Sequence, residues 1–274
     1  MRYVFGPFAA SNVNLNGNSL CAGQVSPSAV LGFVGALLRR LGHPTWNFAV
    51  LPVFHSVSLS EGRLRPAPKV AGGVQKSDDL AESLIGEVVC SLIIETEHLL
   101  DDRKVGQVLP KLKFAGGTIR TLDQSPLHDK FSRLVGDTLG DAEPRIRRGY
   151  AMVPPTDREE AKVVSFGEIE SLRKVDLFLR TKRGVGGGYF IPVPAGYRLL
   201  ENAKSATPRS GSRDPETPHV FSSPAVGIAE VVSVRSPRID TASYDDLSRF
   251  MWRWSCDDIH RVTMFSRIHL TATQ

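Results

Sequence analysis

The sequence predicts an α+β fold, and three observations carry that prediction. Val30, Leu31, Val34, Leu37, Leu38 and Leu41 recur at helical spacing between Ser26-Pro27, a natural N-cap and first helical position, and Gly42, a natural stop. Glu87 to Thr96, EVVCSLIIET, is apolar on both faces, as a strand in the middle of a sheet is. Further segments at 1–8, 47–59 and 221–234 combine aromatic and β-branched residues in the manner of strands, and no internal repeat joins them.

A chain of 274 residues is long enough to bury a real core, as one large domain or two small ones, and its 41% apolar content excludes wholesale disorder. With Lys+Arg 34 against Asp+Glu 29 the formal charge is +5, which suits an anionic partner but is too mild to coat a duplex by charge alone. Cys21, Cys90 and Cys256 are odd in number and far apart, offering neither a disulfide framework nor a CxxC metal site, so a reducing cytoplasm is expected. MRYVFGPFAASN has no sustained apolar segment and no run of eighteen apolar residues occurs, so a soluble protein is expected.

Taken in order, Met1 to Phe8 suits a first strand. AASNVNLNGN then supplies Ser11, Asn12, Asn14, Asn16 and Asn18, polar groups able to hydrogen-bond bases or sugars, although Asn-rich turns also arise for local reasons. In the helix that follows, Gly32 and Gly35 each cost about 1 kcal/mol of propensity, while Arg39 and Arg40 in the last turn suit the helix dipole. NFAVLPVFHSVSL reads as a strand that Pro52 pushes to a sheet edge or a bulge, and His55 within it reads as a packed, hydrogen-bonded residue. Residues 61–76 form a Pro- and Gly-rich basic loop, and 77–84 a brief helical turn.

Asp101 to Leu109 predicts a short helix. In LPKLKFAGGTI, strand alternation sends Lys111 and Lys113 to one face, and Gly116-Gly117 lets the chain turn beside a ligand or simply close a hairpin. Pro126 to Leu139 reads as a short amphipathic helix. Arg145, Arg147 and Arg148 then form a basic cluster, with Tyr150 placed to stack on a base. Ser165 with Glu168 resembles a capping box, and Phe166, Ile169, Leu172, Val175 and Phe178 continue a helical face.

RTKRGVGGGYFIPVPAGYR, Arg180 to Arg198, leads Arg180, Lys182 and Arg183 into Gly184, Gly186, Gly187 and Gly188, a pattern that brings backbone N–H groups and cations to a phosphate. The spacing is neither GxxxxGK[ST] nor a dinucleotide fingerprint, and a loop that leaves a helix C-terminus lacks the dipole's help. Residues 201–219 read as a polar linker, Phe221 to Val234 as a strand, and Tyr244 to Trp254 as a partly helical aromatic segment whose Trp252 and Trp254 are core or interface anchors. No HExxH, paired CxxC or GxSxG occurs. His55, His128, His219, His260 and His269, with Lys111 or Tyr197, are the groups available to a metal-free ribonuclease. The recurrent feature is Arg or Lys beside Gly or an aromatic, better matched to holding single-stranded RNA than to cutting it.

Several of these stretches together resemble the Csy2 family, the Cas5-type subunits of type I-F CRISPR surveillance complexes. AVLGFVGALLRRL (29–41) is similar to the family's GF-x-x-A-L helix, with Gly35 where His is frequent. EVVCSLIIE is similar to its central strand, KLKFAGGTI (111–119) to its R/K-L-A-G-G-x-I segment, and GGYFIPVPAGYRLL (187–200) to its G-W/Y-x-V-P-x-x-x-G-Y motif. HVFSSPAVGIAEVV (219–232) tracks the family's H-V-F-V-E region but lacks the closing Trp and has Ile228-Ala229 in place of Leu-Gly. These departures, and a chain short for the family, point to a divergent or minimal type I-F variant.

The resemblance implies a RAMP-type protein with a ferredoxin-like or RRM-like antiparallel sheet, helices and a thumb-like extension. It implies residues 1–125 as the first part of an RNA-binding core, 126–180 as a basic helical or thumb-like extension, and 181–274 as the Gly-rich motif, linker and C-terminal elements completing the fold. The implied role is non-catalytic: binding the 5' handle of the CRISPR RNA (crRNA), capping the Cas7-type backbone, and contacting a Cas8-type large subunit and target DNA, with no cofactor, metal or membrane. Two alternatives stay open at this stage, a metal-independent endoribonuclease acting on precursor CRISPR RNA and a protein-only assembly subunit. The residues expected to touch RNA are Ser11, Asn12, Asn14, Arg39, Lys111, Lys113, Gly116, Gly117, Arg145, Arg147, Arg148, Arg180, Lys182, Arg183, Gly186, Gly187, Tyr197 and Arg198.

Overall fold

The chain stays extended from Arg2 to Asn14, well past the aromatic start, and consecutive side chains such as Val4 and Phe5 are buried because each face of the strand has a core to enter. The computed structural model describes residues 1–18, 21–44, 46–60, 69–71, 74–76, 84–154, 189–202, 206–211, 216, 218–257 and 262–264. In chain order its first elements are β1 (Arg2–Asn14), β2 (Asn16–Asn18), β3 (Cys21–Ala22), α1 (Pro27–Arg40), β4 (Phe48–Leu59), β5 (Lys69–Ala71), β6 (Val74–Lys76) and β7 (Ile85–Thr96). Next come α2 (Asp102–Val108), β8 (Lys113–Phe114), β9 (Gly117–Thr121), β10 (Phe131–Arg133), β11 (Tyr150–Val153) and β12 (Tyr189–Leu199). The last are β13 (Thr207–Pro208), β14 (Pro218–His219), β15 (Ser222–Ser233), α3 (Pro237–Asp240), α4 (Tyr244–Arg249), β16 (Trp252–Arg253), β17 (Ser255–Asp257) and β18 (Val262–Met264).

Twelve of these strands form one sheet in the order β17-β18-β12-β15-β11-β4-β7-β1-β9-β8, with β10 beside β1 and β16 beside β4. Every pairing in it is antiparallel. The fold is therefore α+β, with strands from the beginning, middle and end of the chain in a common sheet. The central strand expected at 87–96 is β7, held by β4 on one side and β1 on the other.

The two faces of the sheet carry separate cores. On one face Val50, Leu92 and Ile94 pack with Phe33, Val34 and Leu37 of α1. Phe8 and Phe33 there both meet the edge of Phe114, at 5.2 and 5.5 Å between ring centroids. On the other face Ala49, Leu51, Val53 and Ile93 pack beneath Ile146, Ile239, Leu247 and Phe250. The alternation of Ala49, Val50 and Leu51 between the two is the period-2 geometry of a strand buried on both sides. Helix α1 begins as its sequence dictates: Ser26 is the N-cap and its Oγ accepts from the Ala29 N–H at 3.1 Å.

Five expectations are corrected. The Asn-rich segment is largely strand, because β1 runs on through Ser11 and bulges at Asn12, whose φ of 58° is one that Asn tolerates. The strand containing Pro52 is internal, not an edge: β16 pairs with Ala49 and Val50 while β11 pairs with Val53 and Phe54, so Pro52 falls at the changeover between two partners, where a missing donor costs least. The bulge is real and lies at His55, between Phe54 and Ser56. Pro126 to Leu139 is not a helix but a 3-10 turn (Leu127–Lys130) followed by β10, since pairing Phe131 with Phe5 and stacking it 5.3 Å from Tyr3 outweighs the weak propensity of so short a segment. Lys111 lies in a 3-10 turn, not on the strand with Lys113, although both are exposed.

The fifth concerns 201–219, whose described residues form the β13–β14 pair; Arg209 lies over the Phe221 ring at 4.3 Å and bonds Glu201 at 2.5 Å. The expected helical turn at 77–84, apart from Leu84, and the helix from Ser165 lie outside the described residues. Trp252 is buried, as expected of a core anchor, and its Nε1 donates to the Met152 carbonyl at 2.8 Å. Trp254 packs against the same core and meets the edge of Trp46 at 5.6 Å. Cys21 and Cys90 are free and buried, and no described helix is long and apolar enough to cross a membrane.

Candidate nucleic-acid interface

The bulge in β4 is the origin of the most developed surface site. It turns His55 toward the loop that precedes β11, where Nδ1 donates to the Arg148 carbonyl at 2.8 Å and Nε2 accepts from Ser91 Oγ at 2.8 Å. The carbonyl can only accept, so Nδ1 carries a proton, and in the neutral ring Nε2 is then the acceptor. Burial holds its pKa below the ordinary value; the bond to the Arg148 carbonyl opposes this and the Arg147 charge reinforces it. With Nδ1 on the Arg148 carbonyl and Nε2 on the buried Ser91 hydroxyl, His55 ties the loop to β7.

The same loop is pinned a second time at Ile146, whose side chain is buried and whose carbonyl accepts from Arg235 Nη2 at 2.5 Å. Gly149 completes the anchorage by close approach, since a Cβ there would sit 2.5 Å from the Phe54 carbonyl oxygen. The side chains of Arg145, Arg147 and Arg148 on this loop are all exposed, and none makes an ion pair with a described residue. Tyr150, next in the chain, is 56% exposed.

Behind Tyr150 is a cavity of about 310 Å³. Its floor crosses four neighbouring strands, with Ile191 from β12, Val231 from β15, Met152 from β11 and Phe54 from β4, and Gln24 and Val25 wall it from the loop ahead of α1. Tyr189 pairs with Val231 and Tyr150 with Ser233, so the two exposed tyrosines flank β15 in adjacent rows. A four-strand surface with exposed aromatics, next to a loop whose arginines pair with no described carboxylate, has chemistry suited to base stacking and phosphate contact.

The other expected residues lie elsewhere. Ser11 and Lys113 face the far corner of the sheet, where Ser11 Oγ donates to Glu87 at 3.2 Å, Arg120 approaches the same carboxylate at 3.6 Å, and Lys113 Nζ donates to Thr118 at 2.8 Å. Ala115 and Gly116, with φ of 46° and 82°, form the two-residue loop between β8 and β9, a type I′ geometry, and the Ala115 carbonyl accepts from the Asn14 N–H at 2.9 Å. Gly117 is buried because a Cβ would come 2.7 Å from the Ser11 carbonyl oxygen. Asn12 is exposed at its bulge, and Asn14 Oδ1 accepts from the Asn16 N–H at 2.9 Å, a local turn.

Arg39 is exposed in the last turn of α1, and Tyr197 is 48% exposed on β12, next to Arg198. Arg180, Lys182, Arg183, Gly186 and Gly187 lie outside the described residues. Of the expected residues that are described, Arg147 and Arg148 are tied to the cavity through His55, the first by its charge and the second by its carbonyl. Sequence reading missed Gln24, Phe54 and Val231 as its lining, and period-2 counting from Tyr150 would have reached Met152 alone. Among the described residues no three His, Cys, Asp or Glu side chains are grouped to hold a metal ion.

No curated protein matches the chain. Residues 167–263 match the family model of the CRISPR-associated protein Cas_Csy2, less than half of the 274 residues. The matched segment contains the two C-terminal stretches that resemble that family, while AVLGFVGALLRRL, EVVCSLIIE and KLKFAGGTI lie outside it. Over β12, β15, α3, α4 and β16 the chain is thus similar to Cas_Csy2, a CRISPR-associated family.

Proposed function

We propose that the protein is a non-catalytic RNA-binding subunit of a type I-F CRISPR surveillance complex, which holds the 5' handle of the crRNA and caps the Cas7-type backbone, next to a Cas8-type large subunit and target DNA. The observation that carries this reading is the match of residues 167–263 to Cas_Csy2. The exposed, unpaired Arg145, Arg147 and Arg148 beside Tyr150 support it. In this reading the antiparallel sheet, β10 and β11 included, is a RAMP-type ferredoxin-like or RRM-like core, and Lys111, Lys113, Arg180, Lys182 and Arg183 contact phosphates in the assembled particle.

Replacing Arg145, Arg147 and Arg148 together by Ala should weaken binding of a single-stranded handle RNA and reduce the slope of log affinity against log salt by about 2, the value for three lost phosphate contacts on a single strand. Fluorescence anisotropy across a salt series measures both quantities. An unchanged affinity and slope would overturn the assignment of these arginines to RNA.

A further inference from the structure

Resting on that RNA-binding reading, we propose that the cavity behind Tyr150 is a receptor for one unstacked nucleobase of a single strand, with Arg147 and Arg148 on the phosphates that flank it. Volume sets the occupant's size: about 310 Å³ is at the lower end of ligand pockets, room for one planar ring system and not for a helical segment of a protein. The lining sets its chemistry, because Phe54, Val57, Met152, Ile191 and Val231 give an apolar slot and Tyr150 supplies an exposed aromatic face at its mouth. Polar specificity comes from Gln24 and Ser56. Gln24 Nε2 is committed to the Pro192 carbonyl, which fixes the amide and leaves its oxygen to accept from a base N–H.

Charge distinguishes an RNA from an apolar peptide as the occupant. The loop that carries the exposed Arg147 and Arg148 bonds the cavity-lining His55 through the Arg148 carbonyl, is pinned again at Ile146, and has neither arginine neutralised by a described carboxylate. His55 is a positioning residue here, holding the Arg148 backbone while remaining uncharged. A base in the slot would put its 5' and 3' phosphates at the rim, near the loop that carries the exposed Arg147 and Arg148.

The test uses the full chain, a single-stranded RNA, and copies of it carrying one abasic site at each position in turn. Tyr150→Ala, and Val57→Trp at the 41% exposed cavity mouth, should each weaken binding by roughly 5- to 100-fold, the range for losing one stacked base, with the salt slope unchanged. Tyr150→Phe should retain binding, and thermal melts of all three should match the parent. One abasic position should reproduce the loss, and combining it with Val57→Trp should add nothing further. If both variants bind RNA like the parent while the Arg145, Arg147 and Arg148 variant is weakened, the pocket proposal fails and the RNA-binding reading stands. If the parent binds no RNA at any salt concentration, the underlying reading fails. If Val57→Trp loses a co-purifying protein but keeps RNA, the occupant is a protein side chain and the proposal is overturned.

Discussion

Glu95 shows how one buried charge ties distant parts of the chain together. Its carboxylate accepts from Arg2 Nε at 2.9 Å and from Ser248 Oγ at 2.8 Å, and also pairs with Arg253. Burial pushes its pKa up, but the Ser248 hydrogen bond and the charges of Arg253 and Arg2 outweigh burial and hold the carboxyl below its ordinary value of 4.5. A depressed carboxylate stabilises the fold fully above its unfolded pKa and loses that contribution as pH falls through the lower, folded value. Glu95→Gln should therefore cost about 3 kcal/mol at neutral pH, because it removes the negative charge that Arg2 and Arg253 share in a largely buried setting. The gap from the parent should shrink in acid below pH 4.5; chemical denaturation at several pH values measures it, and a gap constant from neutral to acid would refute the ion-pair account. None of these contacts was legible in the sequence, since Arg2, Glu95 and Ser248 share no local pattern.

At the scale of elements, α1 was legible end to end because its cap, its apolar period and its stop all lie within one short window. Its two glycines differ in a way only the structure shows: Gly32 faces open space, while a Cβ on Gly35 would touch Phe48 Cζ at 3.4 Å. Gly32→Ala should raise stability by about 1 kcal/mol through helix propensity, seen as a higher denaturation midpoint at unchanged slope, and no increase would mean that the exposed face is covered in solution. The segment at 126–139 misled for the opposite reason. Its local pattern is short and weak, and pairing with β1 decided its conformation. Pro52 was read as placing its strand at an edge or on a bulge; the strand instead pairs with β7 straight through Pro52 and changes partners there only on its other side, with the bulge further on between Phe54 and Ser56.

For the whole molecule, the sheet order places β7 between β4 and β1 with cores on both faces, so its amides should open only with global unfolding. Hydrogen exchange should find Leu92, Ile93 and Ile94 slowest and the β13–β14 pair much faster; comparable protection in the two would contradict a single central core. The sequence by itself determined the α+β class, the central strand, the first helix and a basic, aromatic chemistry suited to RNA, because each depends on residues adjacent in the chain. Tertiary structure alone decided that β4, β11, β15 and β12 lie side by side, which puts Phe54, Tyr150, Val231 and Ile191 around one cavity and ties the Arg147–Arg148 loop to it through His55. Strand order is set by long-range pairing and burial, and no window of sequence contains both partners of such a pair.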